Sequence, residues 1–415
     1  MQTTGIPRLS APLDREIEEV SSSLRDAVLP IVEHLVGPSQ RPAGLARRLN
    51  IDKSLTGRIL RSIKSGDPFE VIHNAPAPTG LRIFIDAAAQ AGVDQSLRDR
   101  AEASIRRFES LIEAFPAGRA ALEAAISDHI PEVRSANERA AKQAAFKSMS
   151  YLLGYQAEAS FHSCILTPSA DGMAVDSTHI AGLRGLCRLR GRSPINIFGI
   201  RRTGADAPTT SWMETLDGER DSRDAAHYLM PDFCDKPVPD LSVIVDGVLT
   251  QTVLDATSLP VNTPTNLVNA WIGRRAMDRY RSDQRQFVRH VGLLRIPCRY
   301  RVQDYFVHED VLPGTPSIRP RIHGLSGDSV DRPEREQDID EIDLSVPTES
   351  LGMGLDMPEL RSPASPRYRA IMRSVFERSN LRPEQFRVYR ASMVYPVPFV
   401  SLIAWFKLPE RPAGL

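Results

Sequence analysis

Basic side chains concentrate in one short stretch of a chain that has no net charge. The whole sequence carries 52 Lys and Arg against 52 Asp and Glu, whereas residues 41–64 carry seven basic side chains and one acidic side chain. Guanidinium and ammonium groups clustered in this way suit the phosphates of nucleic acid, and an Arg can also make a bidentate contact to guanine. The stretch therefore indicates contact with DNA.

Two short helices must position these side chains if they are to enter a DNA groove. The apolar spacing predicts helices over residues 42–49 and 52–63, with a turn at Asn50 and with Asp52 accepting from the free amide groups of the second helix. In a helix-turn-helix the second helix lies in the major groove, and the first helix braces it. The predicted phosphate contacts are Arg41, Arg47 and Arg48, and the predicted base contacts are Lys53, Ser54, Arg58 and Arg61, with Gly57 on the same outward face.

The stretch LARRLNIDKSLTGRIL, which begins at Leu45, resembles the helix-turn-helix core of IclR-type and MarR-type bacterial regulators. That pattern runs roughly L-A-x-x-L-G-hydrophobic-x-K-S-x-x-x-R-hydrophobic-L. Asn50 stands where Gly is usual, Leu55-Thr56 replaces a Thr-Val-like pair, and Phe69–His73 offers one plausible wing strand. The resemblance covers about 35 residues of 415 and implies a winged helix-turn-helix that binds double-stranded DNA. The matching residues are Leu45, Ala46, Leu49, Lys53, Ser54, Arg58 and Leu60.

The basic stretch has two further interpretations. It can be a solvated pair of amphipathic helices with ordinary basic residues, or a helix-turn-helix that contacts protein. On the DNA-binding hypothesis, one short helix contacts only a few base pairs, so two joined copies are needed to fix a half-site spacing. We therefore expect a transcriptional regulator that binds DNA as a homodimer and responds to a small-molecule or protein effector.

The remaining chain divides by its hydrophobic period. Residues 1–75 hold the DNA-binding domain with a leading helix that is expected to end or kink at Pro30, and residues 76–156 read as a helical connecting or dimerisation segment. Residues 157–415 form the effector- or ligand-sensing domain. There the period becomes alternating, which predicts strands in FHSCILTP, SPINIFGI and SVIVDGVLTQTVL. The predicted fold class is α+β, with an N-terminal all-α part and a mainly antiparallel C-terminal sheet with helices.

Two later features complete the C-terminal part. Strand character returns in RIPCRYRVQDYFVHED and in QFRVYRASMVY, and the segment SPRYRAIMRSVFERSN predicts an amphipathic helix. Residues 328–343 carry eight acidic and two basic side chains, which predicts a mobile acidic loop over about 325–362. The apolar face of the predicted helix consists of Tyr368, Ile371, Met372, Val375 and Phe376.

Composition excludes several classes of protein. An apolar fraction of 41% with 25% charged residues is typical of a folded soluble chain. The first residues lack the apolar core of a signal peptide, and no apolar run approaches the ~18–20 residues of a membrane helix, so we expect a cytoplasmic protein without a membrane partner. The four cysteines form no C-x-x-C pair, which favours buried free thiols over a zinc knuckle or a disulfide framework.

Groups that could do other chemistry are scattered along the sequence. His162 and Cys164 could pair as a base and a thiol, but neighbours two apart on a strand share a face that is commonly packed core. No metal-binding spacing joins the remaining candidates, which are expected in exposed turns. We therefore predict no catalytic residue, metal site or cofactor, the alternative being a ligand-binding protein or enzyme whose N-terminal helices contact protein. These remaining candidates are Asp176, His179, His308, Glu309 and Asp310.

Overall fold

The computed structural model divides the chain into two compact units, Met1–Glu138 and Arg139–Leu415. The described residues of the first unit are helical, and those of the second unit build three β-sheets with one further long helix. The acidic run at 328–340 lies outside the part of the chain that the structure describes. That part comprises residues 11–37, 41–127, 129–191, 193–201, 213–220, 223–246, 249–283, 285–322 and 341–412.

Eight helices, in the described residues, run from the start of the first unit to the start of the second. The apolar faces of the first seven meet in one core, in which Leu24, Leu45 and Phe108 are almost fully buried. The segment over residues 76–127, predicted as part of a separate connecting element, contributes to that same core. The helices are α1 Ala11–Val36, α2 Pro42–Leu49, α3 Lys53–Lys64, α4 Pro68–Asn74, α5 Pro78–Gln90, α6 Gln95–Glu113, α7 Arg119–Ser127 and α8 Pro131–Leu153.

Two elements of the first unit differ from the prediction. Of the two outcomes expected at Pro30, the ending of α1 does not occur: the helix continues through Pro30 to Val36, because Ile31 and Val32 are fully buried and their packing offsets the lost backbone hydrogen bond. The predicted wing strand at Phe69–His73 lies in helix α4. Asp67 begins that helix by accepting from the backbone N–H of Phe69 at 2.8 Å, with Pro68 at the first helical position.

The second unit is organised around a seven-stranded sheet in the order β11-β12-β9-β1-β2-β7-β4. The pairing is antiparallel except between β1 and β9, which run parallel, so the sheet is mixed rather than uniformly antiparallel. Strand β11 falls inside the predicted acidic loop, which is therefore shorter than expected. The strands are β1 Tyr155–Pro168, β2 Ala174–Arg188, β4 Met213–Glu214, β7 Thr265–Asp278, β9 Cys298–His308, β11 Thr348–Met353 and β12 Phe386–Val394.

Two three-stranded sheets accompany the large one. The order β10-β13-β8 forms the first, and the order β3-β6-β5 forms the second. All strands predicted from alternation are confirmed. The bounds are β3 Ile195–Arg201, β5 Leu241–Asp246, β6 Leu249–Leu254, β8 Phe287–Leu293, β10 Ser317–Ile322 and β13 Val400–Lys407.

The large sheet is covered on both faces. Helix α9, Tyr368–Arg378, buries its predicted apolar face against residues such as Phe161 and Phe306. Because successive side chains of a strand alternate between faces, their neighbours on the same strands face the opposite layer. There Cys164 and Tyr305 pack with residues of the β10-β13-β8 sheet. The second unit is thus a sheet between a helix and a smaller sheet.

A buried ion pair fastens α9 to its face of the sheet. Asp304 on β9 is fully buried and accepts from the Nε and Nη2 atoms of Arg390 on β12, at 2.9 and 2.7 Å. The Tyr368 hydroxyl of α9 donates to the same carboxylate, and Ser163 on β1 hydrogen-bonds that hydroxyl at 2.7 Å. One charged pair therefore links the helix to three neighbouring strands.

Candidate functional site

The turn between α2 and α3 contains a residue in the left-handed conformation. Asn50 adopts the left-handed region at φ 54° and ψ 43°, and the backbone N–H of Ile51 donates to Ala46 O at 3.2 Å. Asn tolerates this region better than most residues with a side chain. Asp52 then begins α3 by accepting from the backbone N–H groups of Ser54 and Leu55, at 2.7 and 3.2 Å. The predicted turn and cap are confirmed.

The inward faces of α2 and α3 fix the relative position of the two helices. Leu45 and Leu49 of α2, together with Ile59 and Leu60 of α3, are buried in the core of the first unit. The Thr56 hydroxyl donates to Pro42 O at 3.0 Å and so joins the middle of α3 to the first residue of α2. The packing leaves the opposite faces of both helices toward solvent.

Five of the eight side chains predicted for DNA are exposed basic groups on these two helices or at their ends. We call Arg41, Arg47, Arg48, Lys53 and Arg61 the basic face. The Ser54 hydroxyl is also exposed, but it donates to the Asp52 carboxylate of the helix cap.

The other two predicted residues face inward. Gly57 is buried, and Arg58 is partly buried with its Nη2 donating to Ala75 O at 2.9 Å, at the end of α4. Arg119 of α7 donates to the same carbonyl oxygen at 2.8 Å. Burial, and then the neighbouring charge of Arg119, lowers the pKa of Arg58. Two guanidinium groups thus donate hydrogen bonds to the C-terminal end of α4, where a positive charge is favourable. Arg58 therefore stabilises the packing of α3 against α4.

A second cluster of functional groups lies in the second unit, between the large sheet and the β10-β13-β8 sheet. His162 of β1 and His179 of β2 share one face, because Cys164, two residues after His162, is the register partner of His179. His290 comes from β8 of the smaller sheet. Among the described residues, these three side chains form a group whose ring nitrogens, one from each, lie within 4.8 Å of one another. We call this group the histidine cluster.

The rings of the histidine cluster are held by contacts on several sides. Nε2 of His162 and Nδ1 of His179 share a hydrogen bond of 3.2 Å. The other nitrogen of His179 hydrogen-bonds the Ser177 hydroxyl at 2.9 Å, and Nδ1 of His290 hydrogen-bonds the Tyr305 hydroxyl at 2.9 Å.

Aromatic stacking further fixes the ring planes. Trp271 of β7 stacks on His179 with ring centroids 5.0 Å apart and planes 10° apart. His290 lies 5.1 Å from His162 and 5.3 Å from His179, measured between ring centroids. The imidazoles are therefore ordered by their surroundings before any ligand arrives.

The environment keeps these imidazoles neutral. Burial is the largest cause that lowers the pKa of His162 and His179 well below 6.5 and lowers the pKa of His290 to about 4. The buried guanidinium of Arg301 acts in the same direction on His162 and His290. Neutral imidazole is the form that binds a metal ion or shares a proton.

The structure separates the other sequence candidates. Cys164 lies beside this layer but is packed in the core, where burial raises the pKa of its thiol. Asp176 is buried and accepts from Arg274 Nη1 at 2.9 Å, so its expected place in an exposed turn is wrong, as it is for His179. Glu309 and Asp310 do lie exposed after β9, and His308, at its end, is partly buried.

His290 and Tyr305 were not found from the sequence. His162 and His179 come from the consecutive strands β1 and β2, whereas His290 comes from β8, far along the chain, so no short spacing connects it to the other two. The available signal was the alternation of the segment over 287–293, which places His290 on the same side as Val288, a buried residue.

Comparisons with known proteins leave the chain without an assigned family. No protein-family model and no curated protein sequence matches it. A similarity search of solved structures returns a crystal structure described as a "putative protease" from Parabacteroides distasonis, at 9% identity and a TM-score of 0.29. The match covers 62% of this chain and 41% of that one. In the described part, no helix has both the length and the apolarity needed to cross a membrane.

Proposed function

We infer that this chain is a cytoplasmic DNA-binding transcriptional regulator whose helix α3 enters the major groove. The observation that carries the proposal is the α2–α3 pair, with its left-handed Asn50 turn and its Asp52 cap. Its inner side is core, and its outer side is the basic face. An ordinary solvated helix needs neither the turn geometry nor the one-sided charge, so these features favour a nucleic-acid surface.

The members of the basic face have different roles in this proposal. Lys53 and Arg61 lie on α3, eight residues apart and hence close to one side of the helix, where they are placed to contact bases. Arg41, Arg47 and Arg48 lie at the start and in the last turn of α2, where a first helix crosses the phosphate backbone. Arg58 is excluded from this set because it binds Ala75 O.

A homodimer follows from the small size of one such surface. A single helix of the length of α3 contacts a few base pairs, and two copies on one duplex raise affinity through effective concentration. The second unit is the part that receives a small-molecule or protein effector in this proposal. An operator with two-fold symmetry is the expected consequence.

The direct test is selection of random duplex oligonucleotides with the intact protein. Enrichment of one palindromic sequence is the expected result, and recovery of unrelated sequences at every ionic strength counts against a regulator. Fluorescence anisotropy on the selected duplex then measures affinity as salt is varied. Each phosphate contact adds about 0.9 to the slope of log affinity against log salt, so R47A/R48A should lower the slope by roughly 1.8.

Two matched double variants test the role of α3. Replacing Lys53 and Arg61 by Ala removes two expected base contacts, each worth ~1–3 kcal/mol, so affinity for the selected duplex should fall at least about tenfold. Replacing Arg106 and Arg107 by Ala removes the same charge from an exposed site on α6 of the same unit and should change affinity much less. Equal losses in both variants would remove α3 from the recognition surface.

A protein-contact use of the same helices is the competing function. It predicts that the mass of the intact chain in solution is unaffected by the selected duplex. The DNA-binding proposal predicts a complex of two chains and one duplex, which light scattering distinguishes from either free component.

A further inference from the structure

The histidine cluster has the donor arrangement of a metal site. Each of two rings has one nitrogen tied to an oxygen outside the cluster, His179 through Ser177 and His290 through Tyr305. The remaining nitrogen of His179, Nδ1, faces Nε2 of His162 inside the group. Histidine ligands of metals usually donate their second N–H to such an oxygen, which fixes both the tautomer and the ring plane.

The spacing of the nitrogens also fits. Two nitrogens bound to one tetrahedral zinc at 2.0–2.1 Å stand about 3.3 Å apart. Nε2 of His162 and Nδ1 of His179 are 3.2 Å apart. The third nitrogen comes from His290 on a different sheet, within the 4.8 Å that encloses the group. The three rings together offer a three-histidine set.

Buried groups also hold the Tyr305 hydroxyl that contacts His290. Gln303 is fully buried, and its amide Nε2 donates to the Tyr305 hydroxyl that holds His290. Gly292 makes room for this amide, because a Cβ at that position would lie 2.0 Å from Gln303 Oε1. The strand that carries His290 therefore has a glycine at the point where it packs against Gln303.

Unpartnered polar atoms lie in the strands beside those that carry His162 and His179. Gln303 and Asn269 lie in the same row of the sheet as His162, and each has a buried amide oxygen without a hydrogen-bond partner in the described part of the structure. The guanidinium of Arg301, buried on the same face, adds positive charge. A metal-bound water, which can donate to these amide oxygens, suits them better than an apolar filling does.

We propose that His162, His179 and His290 bind one divalent transition-metal ion, with zinc as the best fit, and leave a fourth coordination position for water, hydroxide or a carboxylate. Three imidazoles with an open position are the ligand set of reactive zinc centres, whereas structural zinc sites are closed by four protein ligands. The site departs from the expectation, drawn from the sequence, that this chain binds no metal. It is independent of the proposed DNA binding.

The test uses the full chain, stripped with a chelator and dialysed at neutral pH. Calorimetric titration with zinc should give one ion per chain, and cobalt should give the visible absorption of a tetrahedral site. The H290Q variant should lose at least ~100-fold in zinc affinity, since outer partners alone are worth 10–100-fold. H227Q, which changes an exposed histidine outside the cluster, should bind as the parent does.

A second variant guards against loss of the fold. Y305F keeps the ring in the core and removes only the hydroxyl on His290, so zinc affinity should fall ~10–100-fold while circular dichroism is unchanged. The proposal is overturned if the stripped parent takes up neither metal, or if H290Q and H227Q bind zinc equally well. Because none of these measurements involves DNA, a failure here leaves the proposed function standing, and the reverse also holds.

Discussion

Breaking the buried ion pair beneath α9 should strongly lower the free energy of unfolding of the second unit. In R390M the carboxylate of Asp304, fully buried, loses the guanidinium that donates to it twice. Three backbone carbonyls, those of Glu359, Leu360 and Arg361, lose the same donor. Removing one partner of a buried pair costs ~3–5 kcal/mol, because the remaining charge is left desolvated.

The chain supplies a selective probe for this measurement. All three tryptophans, Trp212, Trp271 and Trp405, belong to the second unit, so their emission during urea unfolding reports on that unit alone. This matters because a chain of two units need not unfold in one step. The free energy of unfolding from the tryptophan signal should fall by about 3–5 kcal/mol in R390M.

Two further variants decide whether burial is the cause. R378M breaks the exposed pair between Arg378 and Asp217, 2.8 Å long, and should cost no more than ~1 kcal/mol. The double variant D304N/R390M removes both charges, so its cost should be smaller than the sum of the single costs by ~1–3 kcal/mol. Equal costs for R390M and R378M would refute the argument.

Three other outcomes follow from local geometry. D52A removes the cap of α3 and should destabilise the start of that helix, seen as faster amide hydrogen exchange in α3 than in the parent. G182A places a Cβ 2.1 Å from the Phe161 ring and should cost ~1–3 kcal/mol of stability in the tryptophan assay. Burial raises the pKa of the Cys298 thiol, which is fully buried, and of the Cys187 thiol, which is partly buried. Alkylation near pH 8 should therefore label Cys187 first and reach Cys298 only after unfolding. Peptide mass mapping measures this order.

Local signals in the sequence were sufficient for the α2–α3 pair. Asn50 tolerates the left-handed turn, Asp52 supplies the cap, and the apolar period fixes the inward faces. The same logic failed at the wing, where Phe69–His73 has strand-forming residues but Asp67 and Pro68 form a helix start. A short apolar run is ambiguous, and its flanking residues decided between helix and strand.

The histidine cluster was beyond the sequence for a different reason. Its assembly depends on the parallel pairing of β1 with β9 and on the layering of β8 over the large sheet. The hydrophobic period of a single segment predicts neither the strand pairing nor the packing of the two sheets. Arg58 shows a related limit, since its position on α3 predicted a base contact, while the nearby end of α4 gave it a backbone partner. Tertiary neighbours decided both cases.

The parallel pairing of β1 also sets the order in which the second unit can be assembled during synthesis. The β1–β2 hairpin can close soon after Arg188 leaves the ribosome, but the other edge of β1 must wait for β9, and the strand of His290 waits for β13. Until then a nascent chain presents an unpaired strand edge, which is a hazard for aggregation and a target for chaperones. The pairing thus allows His162 and His179 to meet early in translation, whereas the strand of His290 gains its sheet partner only when Val400–Lys407 has been made.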